Sequence, residues 1–126
     1  MKLTKRSLMF STMAALLAVD IAWAGELEGT WTGTLTQRPY SYPIEISFAQ
    51  SGATVAYPSL GCVGRLIPVR SDGKVFSFSE KIDRGICENN GRVEISRAGA
   101  ASLSFKYYDR HNNLISGVLT TAKPTR

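Results

Sequence analysis

From Gly29 onward the chain alternates apolar and polar residues with a period of two, which is the spacing of a half-buried β-strand. In the first such run, Trp31 and Leu35 share one face and threonines occupy the other. Eight short runs of this kind are separated by turns rich in Gly, Asn, Asp or Pro. They are GTWTGTLTQ, YPIEISF, SGATVAY, CVGRLIPV, VFSFSEKI, NNGRVEIS, ASLSFKYY and LISGVLT.

No amphipathic helical stretch follows residue 24, so the pattern predicts an all-β fold. Short strands joined by tight turns are typical of a small antiparallel eight-stranded barrel, with a β-sandwich as the alternative. Closure favours the barrel because it leaves no exposed strand edge. The residues expected inside are mostly large, so we expect a packed interior. They are Trp31, Leu35, Ile44, Ile46, Phe48, Val55, Tyr57, Leu66, Phe76, Phe78, Ile82, Val93, Ile95, Leu103, Phe105, Tyr107 and Val118.

One carboxylate breaks the alternation, because Glu80 shares a face with Phe78 and Ile82. A buried carboxylate is costly unless it is paired and hydrogen-bonded. We expect it to meet an arginine, either Arg65 or Arg92, or the backbone N–H groups of the YPSLGC corner. In the alternative interpretation, Glu80 lines an open barrel mouth and contacts a ligand or a partner.

The first residues have the organisation of a signal peptide. Three cations precede the apolar run Ser7–Val19, which is too short to span a bilayer comfortably. The sequence Ala22–Ala24 then follows the small-x-small rule of signal peptidases. We expect residues 1–24 to be cleaved near Ala24, leaving 25–126 as one secreted or periplasmic domain. The alternative is a buried N-terminal helix.

Cys62 and Cys87 are the only cysteines in the chain. An exported protein meets an oxidising compartment, so a disulfide between them is expected. Two free thiols or a metal pair are the alternatives. A metal site needs more ligands than these two and the distant His111, so no metal is expected.

Charge and motifs narrow the classes of function further. Residues 25–126 carry twelve Lys and Arg against nine Asp and Glu, a formal net charge of +3, and these charges are scattered. Without a basic stripe, a nucleic-acid partner is not expected, and no remaining apolar run predicts stable membrane insertion. The chain has no Gly-rich phosphate loop, no HExxH and no nucleophile elbow. We therefore expect no cofactor and no catalytic residue.

Several segments together resemble a known group of sequences. GTWTGTL, YPSLGCVGRL, FSFSEKIDRGIC followed by GRVEI, and SGVLT are similar to a family of small secreted bacterial β-domains. That family also provides extracytoplasmic tails of some actinobacterial serine/threonine kinases. The most specific part is YPSLGC paired with F-x-E-x-I-x-x-G-x-C, and Val63 departs from a glycine that the family often has. The resemblance implies a sensing or binding module.

The YPSLGC stretch is interpreted as a corner that the disulfide pins, and a rigid corner lowers the ordering cost of binding. The leading hypothesis is a non-catalytic module that docks a protein partner in the envelope or outside the cell, such as an inhibitor or immunity-type protein. The second is a lipocalin-like barrel that binds a small molecule, and the third is an enzyme that uses Glu80. The residues predicted to make contacts are Tyr57, Ser59, Leu60, Arg65, Glu80 and Arg84.

Overall fold

Each strand pairs in antiparallel fashion with its neighbour in the chain, and the last strand returns to the first. A computed structural model describes residues 26–121, which include the predicted domain except its two ends. The predicted signal peptide, residues 1–24, lies outside the described residues. The strands are β1 Gly29–Gln37, β2 Tyr40–Ala49, β3 Gly52–Tyr57, β4 Cys62–Ser71, β5 Val75–Arg84, β6 Arg92–Gly99, β7 Ser102–Tyr108 and β8 Leu114–Thr120.

Pairing of β1 with β8, from Thr32 opposite Thr120 to Thr36 opposite Ser116, closes the sheet into a barrel. The expected all-β barrel of eight strands is confirmed, and the sandwich alternative is wrong. A bulge interrupts the β4–β5 ladder between Pro68 and Arg70, where a proline cannot donate a ladder hydrogen bond. Among residues 26–121, no helix has the length and hydropathy that a membrane crossing requires.

The inward faces carry the large apolar residues, and nearly all the predicted inward positions are buried. The prediction that Val118 points inward is wrong, because its side chain is 57% exposed. The run LISGVLT has apolar residues in both phases, so its pattern alone does not choose a face. In the structure, Ile115 and Leu119 point inward, because the register with β1 decides the phase. Ile82 is only partly buried and packs against the core.

Two glycines make the closing seam possible. Gly33 lies opposite Leu119, and Gly117 lies opposite Leu35. A Cβ atom on Gly117 would overlap the carbonyl oxygen of Thr34, and one on Gly33 would overlap a carbonyl oxygen of β8. The absence of side chains therefore lets the first and last strands approach closely.

The two ends of the barrel differ. At one end, where β1 begins, Leu27 is buried and its carbonyl oxygen accepts a hydrogen bond from Trp31 Nε1 at 2.9 Å. The described chain also leaves at this end, where Thr121 N donates to Ala101 O at 3.2 Å. The β1–β2, β3–β4, β5–β6 and β7–β8 connections lie at the opposite end, which we call the mouth.

A disulfide ties two of the mouth connections together. Cys62 and Cys87 are bonded, as expected, and link the β3–β4 corner to the β5–β6 loop across 25 residues. The corner contains a 3-10 turn, Pro58–Leu60, which ends at Gly61 with a positive φ of 66°. Gly85 has a positive φ of 104° and leaves no room for a Cβ beside Cys62, so glycine is required there.

We predict that Gly117→Ala destabilises the barrel, because the new methyl group must displace backbone of β1. Overpacking of this kind costs about 1–3 kcal/mol of unfolding free energy. Urea denaturation measures the change. Thr36→Ala, an exposed substitution on the same strand pair, is the control and should stay within about 0.5 kcal/mol of the wild type. Equal losses in the two variants would contradict a tight seam.

Candidate ligand pocket at the mouth of the barrel

Glu80 points into the barrel, as the alternation along β5 predicts. It is 1% exposed and is the only buried polar or charged residue among residues 26–121. Its backbone N–H and C=O groups both form hydrogen bonds. The Glu80 N–H donates to Gly91 O at 2.8 Å, and the Asn90 N–H donates to Glu80 O at 2.8 Å. These two hydrogen bonds fix the backbone from which the Glu80 side chain extends into the barrel.

The partner of Glu80 is a tyrosine, and neither expected arginine reaches it. The Tyr57 hydroxyl, at the end of β3, donates a hydrogen bond to Glu80 Oε2. Arg65 lies on the outer face of β4 and binds Asp83 through two hydrogen bonds of 2.9 Å. Arg92 is also on the outer face. The expectation of an arginine partner is wrong because strand alternation places both guanidinium groups outside the barrel.

Glu80 lies at the inner end of a pocket of about 270 Å³ that opens at the mouth. The packed interior that the sequence predicts is found elsewhere in the barrel, where apolar side chains form one core cluster. We call this space the mouth pocket. Its lining residues are Gln37, Tyr42, Tyr57, Leu60, Glu80, Cys87, Glu88, Tyr107, Asp109 and Ile115.

The lining of the mouth pocket is acidic, with three carboxylates and no Lys, Arg or His. Two of them belong to the loops. Glu88 accepts a hydrogen bond from the Arg110 N–H at 2.8 Å. Asp109 accepts the N–H groups of Asn113 at 2.8 Å and His111 at 2.9 Å, and these bonds lower its pKa. The Arg110 guanidinium also lies 3.7 Å from Glu88 and partly offsets its charge from outside the lining, whereas the lining itself contains no cation.

Burial changes the protonation of the groups in the pocket. Loss of hydration raises the pKa of Glu80 from 4.5 to about 7, although the hydrogen bond from Tyr57 opposes this rise. Burial, followed by the charge of Glu80, raises the pKa of Tyr42, Tyr57 and Tyr107. The three hydroxyls keep their protons at neutral pH, whereas Glu80 changes its charge there.

Some polar atoms of the pocket have no protein partner. Glu80 Oε1 and the hydroxyls of Tyr42 and Tyr107 make no hydrogen bond within the described part of the chain. The rings are nonetheless held in place. Tyr42 meets Tyr57 edge to face, with ring centroids 6.2 Å apart, and Tyr107 fills the space that a Cβ on Gly91 would need. The pocket is thus lined by side chains in fixed positions that carry polar atoms without a protein partner.

The structure brings together three of the six residues predicted to make contacts. Tyr57, Leu60 and Glu80 line the mouth pocket. Ser59 lies beside it, exposed on the 3-10 turn. Arg65 and Arg84 are exposed and do not line the pocket.

Sequence reasoning missed Tyr42, Glu88 and Asp109 as lining residues. A signal for Tyr42 was available, because it has the same strand phase as the buried Ile44. Glu88 and Asp109 lie in connections, where a period of two gives no direction. Their approach to the pocket depends on the disulfide-pinned loop and on the β7–β8 turn.

A second concavity, of about 360 Å³, lies on the outer wall beside the β4 bulge. None of its polar side chains is fully buried. Its Arg92 already stacks over the ring of Tyr108 at 4.3 Å and lies 3.8 Å from Glu94. It therefore lacks the buried, unpaired polar atom that distinguishes the mouth pocket.

No group of three or more metal-ligating side chains is found in residues 26–121. Comparison of the chain with protein-family models, with curated proteins and with solved structures finds no match. The geometry of the mouth pocket therefore provides the argument for function.

We predict that Glu80 makes the stability of the wild type fall as the pH rises. Its folded pKa of about 7 lies above the ordinary 4.5, so the folded state holds a proton that the unfolded chain releases between these values. This contribution is fully present below pH 4.5 and is lost as the pH rises through 7. It amounts to about 3 kcal/mol.

Glu80→Gln cannot titrate, so its stability relative to the wild type should rise by about 3 kcal/mol from acidic to mildly alkaline pH. Chemical denaturation across this pH range measures the difference. For Glu45→Gln, on the exposed face of β2, the unfolding free energy should change with pH as it does in the wild type. If the unfolding free energy of Glu80→Gln also changed with pH as that of the wild type does, the pKa of Glu80 would be an ordinary one.

Proposed function

We propose that this protein is a non-catalytic binding module that takes a small ligand into the mouth pocket. One observation carries the proposal, namely that the buried carboxylate of Glu80 has one oxygen without a hydrogen bond and lines a pocket at the open end of the barrel. A buried polar atom without a partner carries a free-energy cost of about 1–3 kcal/mol. A ligand that donates a hydrogen bond to it removes that cost.

The size of the pocket limits the ligand. Its volume of about 270 Å³ is just under the roughly 300–1,000 Å³ of sites for drug-sized molecules. The ligand is therefore a compact molecule or one end of a longer one. The walls are held by strand pairing and by the Cys62–Cys87 bond, so little order has to be gained on binding.

The chemistry of the pocket supports binding more than catalysis. General acid–base catalysis usually uses two titrating groups whose pKa values are set apart near the working pH. Glu80 has a pKa near neutrality, and its hydrogen-bond partner Tyr57 has a pKa raised well above the usual range. This arrangement supports a recognition role for Glu80.

Two further observations support a place of action outside the cytoplasm. Disulfides persist in oxidising compartments, and Cys62 and Cys87 form one. The N-terminal pattern of residues 1–24 predicts export to the periplasm or the medium. The resemblance to secreted bacterial β-domains is consistent with a sensing or binding role there.

Protein-observed NMR tests the proposal with a panel of compact cationic, neutral and anionic compounds. We expect at least one class to shift the amide signals of Tyr42, Tyr57, Glu80 and Tyr107. Gln37→Trp should abolish these shifts by filling the pocket. Gln50→Trp, an exposed change at the other end of the barrel, should leave them intact. The proposal fails if no class perturbs the mouth.

A second candidate function, docking of a protein partner, is favoured by the rim of the mouth. A large exposed apolar side chain lies in or directly after each of its four connections: Leu60 and Ile86 within connections, and Tyr40 and Leu114 as the first residues of β2 and β8. Ile86 is fully exposed on the disulfide-pinned loop. Exposed apolar side chains grouped on one surface are typical of interaction sites.

Affinity capture from periplasmic extract tests docking on the rim. Ile86→Asp with Leu114→Asp should lower recovery of a partner at least about tenfold, because both contacts are apolar. Val118→Asp, on the exposed outer wall, should recover the same partner as the wild type. Capture of nothing above background, or equal capture by the rim variant, would eliminate docking on this surface.

A further inference from the structure

We infer that the group bound in the mouth pocket is a protonated primary amine, so that the pocket is an alkylammonium site. This inference rests on the proposed function and specifies its ligand class. Its basis is the juxtaposition of one buried carboxylate, three tyrosines and two further acidic side chains around a pocket with no lining cation.

The carboxylate provides the first requirement of an ammonium site. Glu80 Oε2 already accepts the Tyr57 hydroxyl, and Oε1 is left to accept a donor from the ligand. Hydrogen bonds between an ionised donor and an ionised acceptor are roughly twice as strong as neutral ones. An ammonium ion placed here also restores the charge compensation that Glu80 lost on leaving water.

The tyrosines provide the second requirement. Cations are attracted to the faces of aromatic rings, and cages of such rings recognise organic ammonium ions. Tyr42, Tyr57 and Tyr107 come from three different strands and line the same space as Glu80. The unpaired hydroxyls of Tyr42 and Tyr107 can accept hydrogen bonds as well. A primary ammonium has three donors, which match these two hydroxyls and Glu80 Oε1.

Other ligand classes fit less well. An anion would meet three carboxylates and no lining cation. A quaternary ammonium has no N–H to donate to Glu80. A neutral alcohol can donate one hydrogen bond but gains nothing from the charges of Glu80 and Asp109. Among residues 26–121, no cluster of metal ligands offers a divalent cation a coordination shell.

Isothermal titration at about pH 8, where an alkylamine is protonated, tests the inference with four probes. Butylamine should bind at least about tenfold more tightly than 1-butanol, which has a similar shape but no charge. Butyrate should not bind. Tetramethylammonium should bind more weakly than butylamine because it has no donor. Equal binding of butylamine and 1-butanol would overturn the inference.

Glu80→Gln should weaken butylamine binding at least about tenfold, and the NMR spectrum confirms that the variant is folded. Glu45→Gln, the exposed control, should bind as the wild type does. Unchanged binding by Glu80→Gln would overturn the assignment. The ammonium inference fails alone if only neutral or anionic probes shift the mouth amides, and the proposed function fails if no probe does.

The pH dependence of the wild type gives a second readout that needs no variant. Binding of the cation requires ionised Glu80, so affinity should fall roughly thirtyfold from about pH 8 to about pH 5.5. A flat profile would overturn the inference. The titratable groups that line the pocket with Glu80 are Tyr42 of β2, Tyr57 of β3, Tyr107 of β7, Glu88 of the β5–β6 loop and Asp109 of the β7–β8 turn. Two cationic groups of the β7–β8 turn act on the loop carboxylates, since Arg110 pairs with Glu88 and the charge of His111 acts on Asp109.

The ammonium group could belong to a free amine or to a lysine side chain of a partner, and one more probe separates these sources. Nα-acetyl-lysinamide has the same four-carbon stem with a peptide backbone at its end. Binding tighter than that of butylamine assigns the group to a lysine side chain. Weaker binding assigns it to a free amine, and both results support the inference.

Discussion

Closure of the sheet between β1 and β8 is the constraint on which the rest of the structure depends. The interior of an eight-stranded barrel is narrow enough for side chains to fill, and here large apolar side chains fill most of it. A cavity can then form only where the filling stops, which is at one end. The glycines Gly33 and Gly117 permit this closure, because a Cβ atom at either position would overlap backbone of the facing strand.

The connections between strands explain why the pocket lies at one end of the barrel and not at the other. Leu27 and Trp31 fill the end where β1 begins, and the four connections at the other end form the mouth. The Cys62–Cys87 bond fixes two of these connections relative to each other. Tyrosines at the ends of β3 and β7 then form walls whose positions the barrel itself controls. The pocket is therefore a property of the scaffold more than of any single loop.

Glu80 differs from the other buried side chains of the described barrel because it can carry a charge. An arginine beside it would have lowered its pKa and neutralised its charge, as Arg65 does for the exposed Asp83. A tyrosine donates one hydrogen bond and adds no charge, so the pKa of Glu80 remains near neutrality. The carboxylate is therefore left without a cationic partner among the described residues. This is the physical connection between the fold and the ligand class that we propose.

The alternation of apolar and polar residues was enough to predict eight strands and the inward direction of Glu80. The avoidance of exposed strand edges favoured a barrel over a sandwich, and the predicted export of a chain with two cysteines predicted the Cys62–Cys87 disulfide. These features depend on local periodicity and on a choice between very few cysteines. The partner of Glu80, the inward phase of β8 and the acidic lining from Glu88 and Asp109 were decided only by tertiary structure. Each depends on which strands and loops meet across the barrel. A period of two specifies the face of a side chain but not the residue that it will meet there.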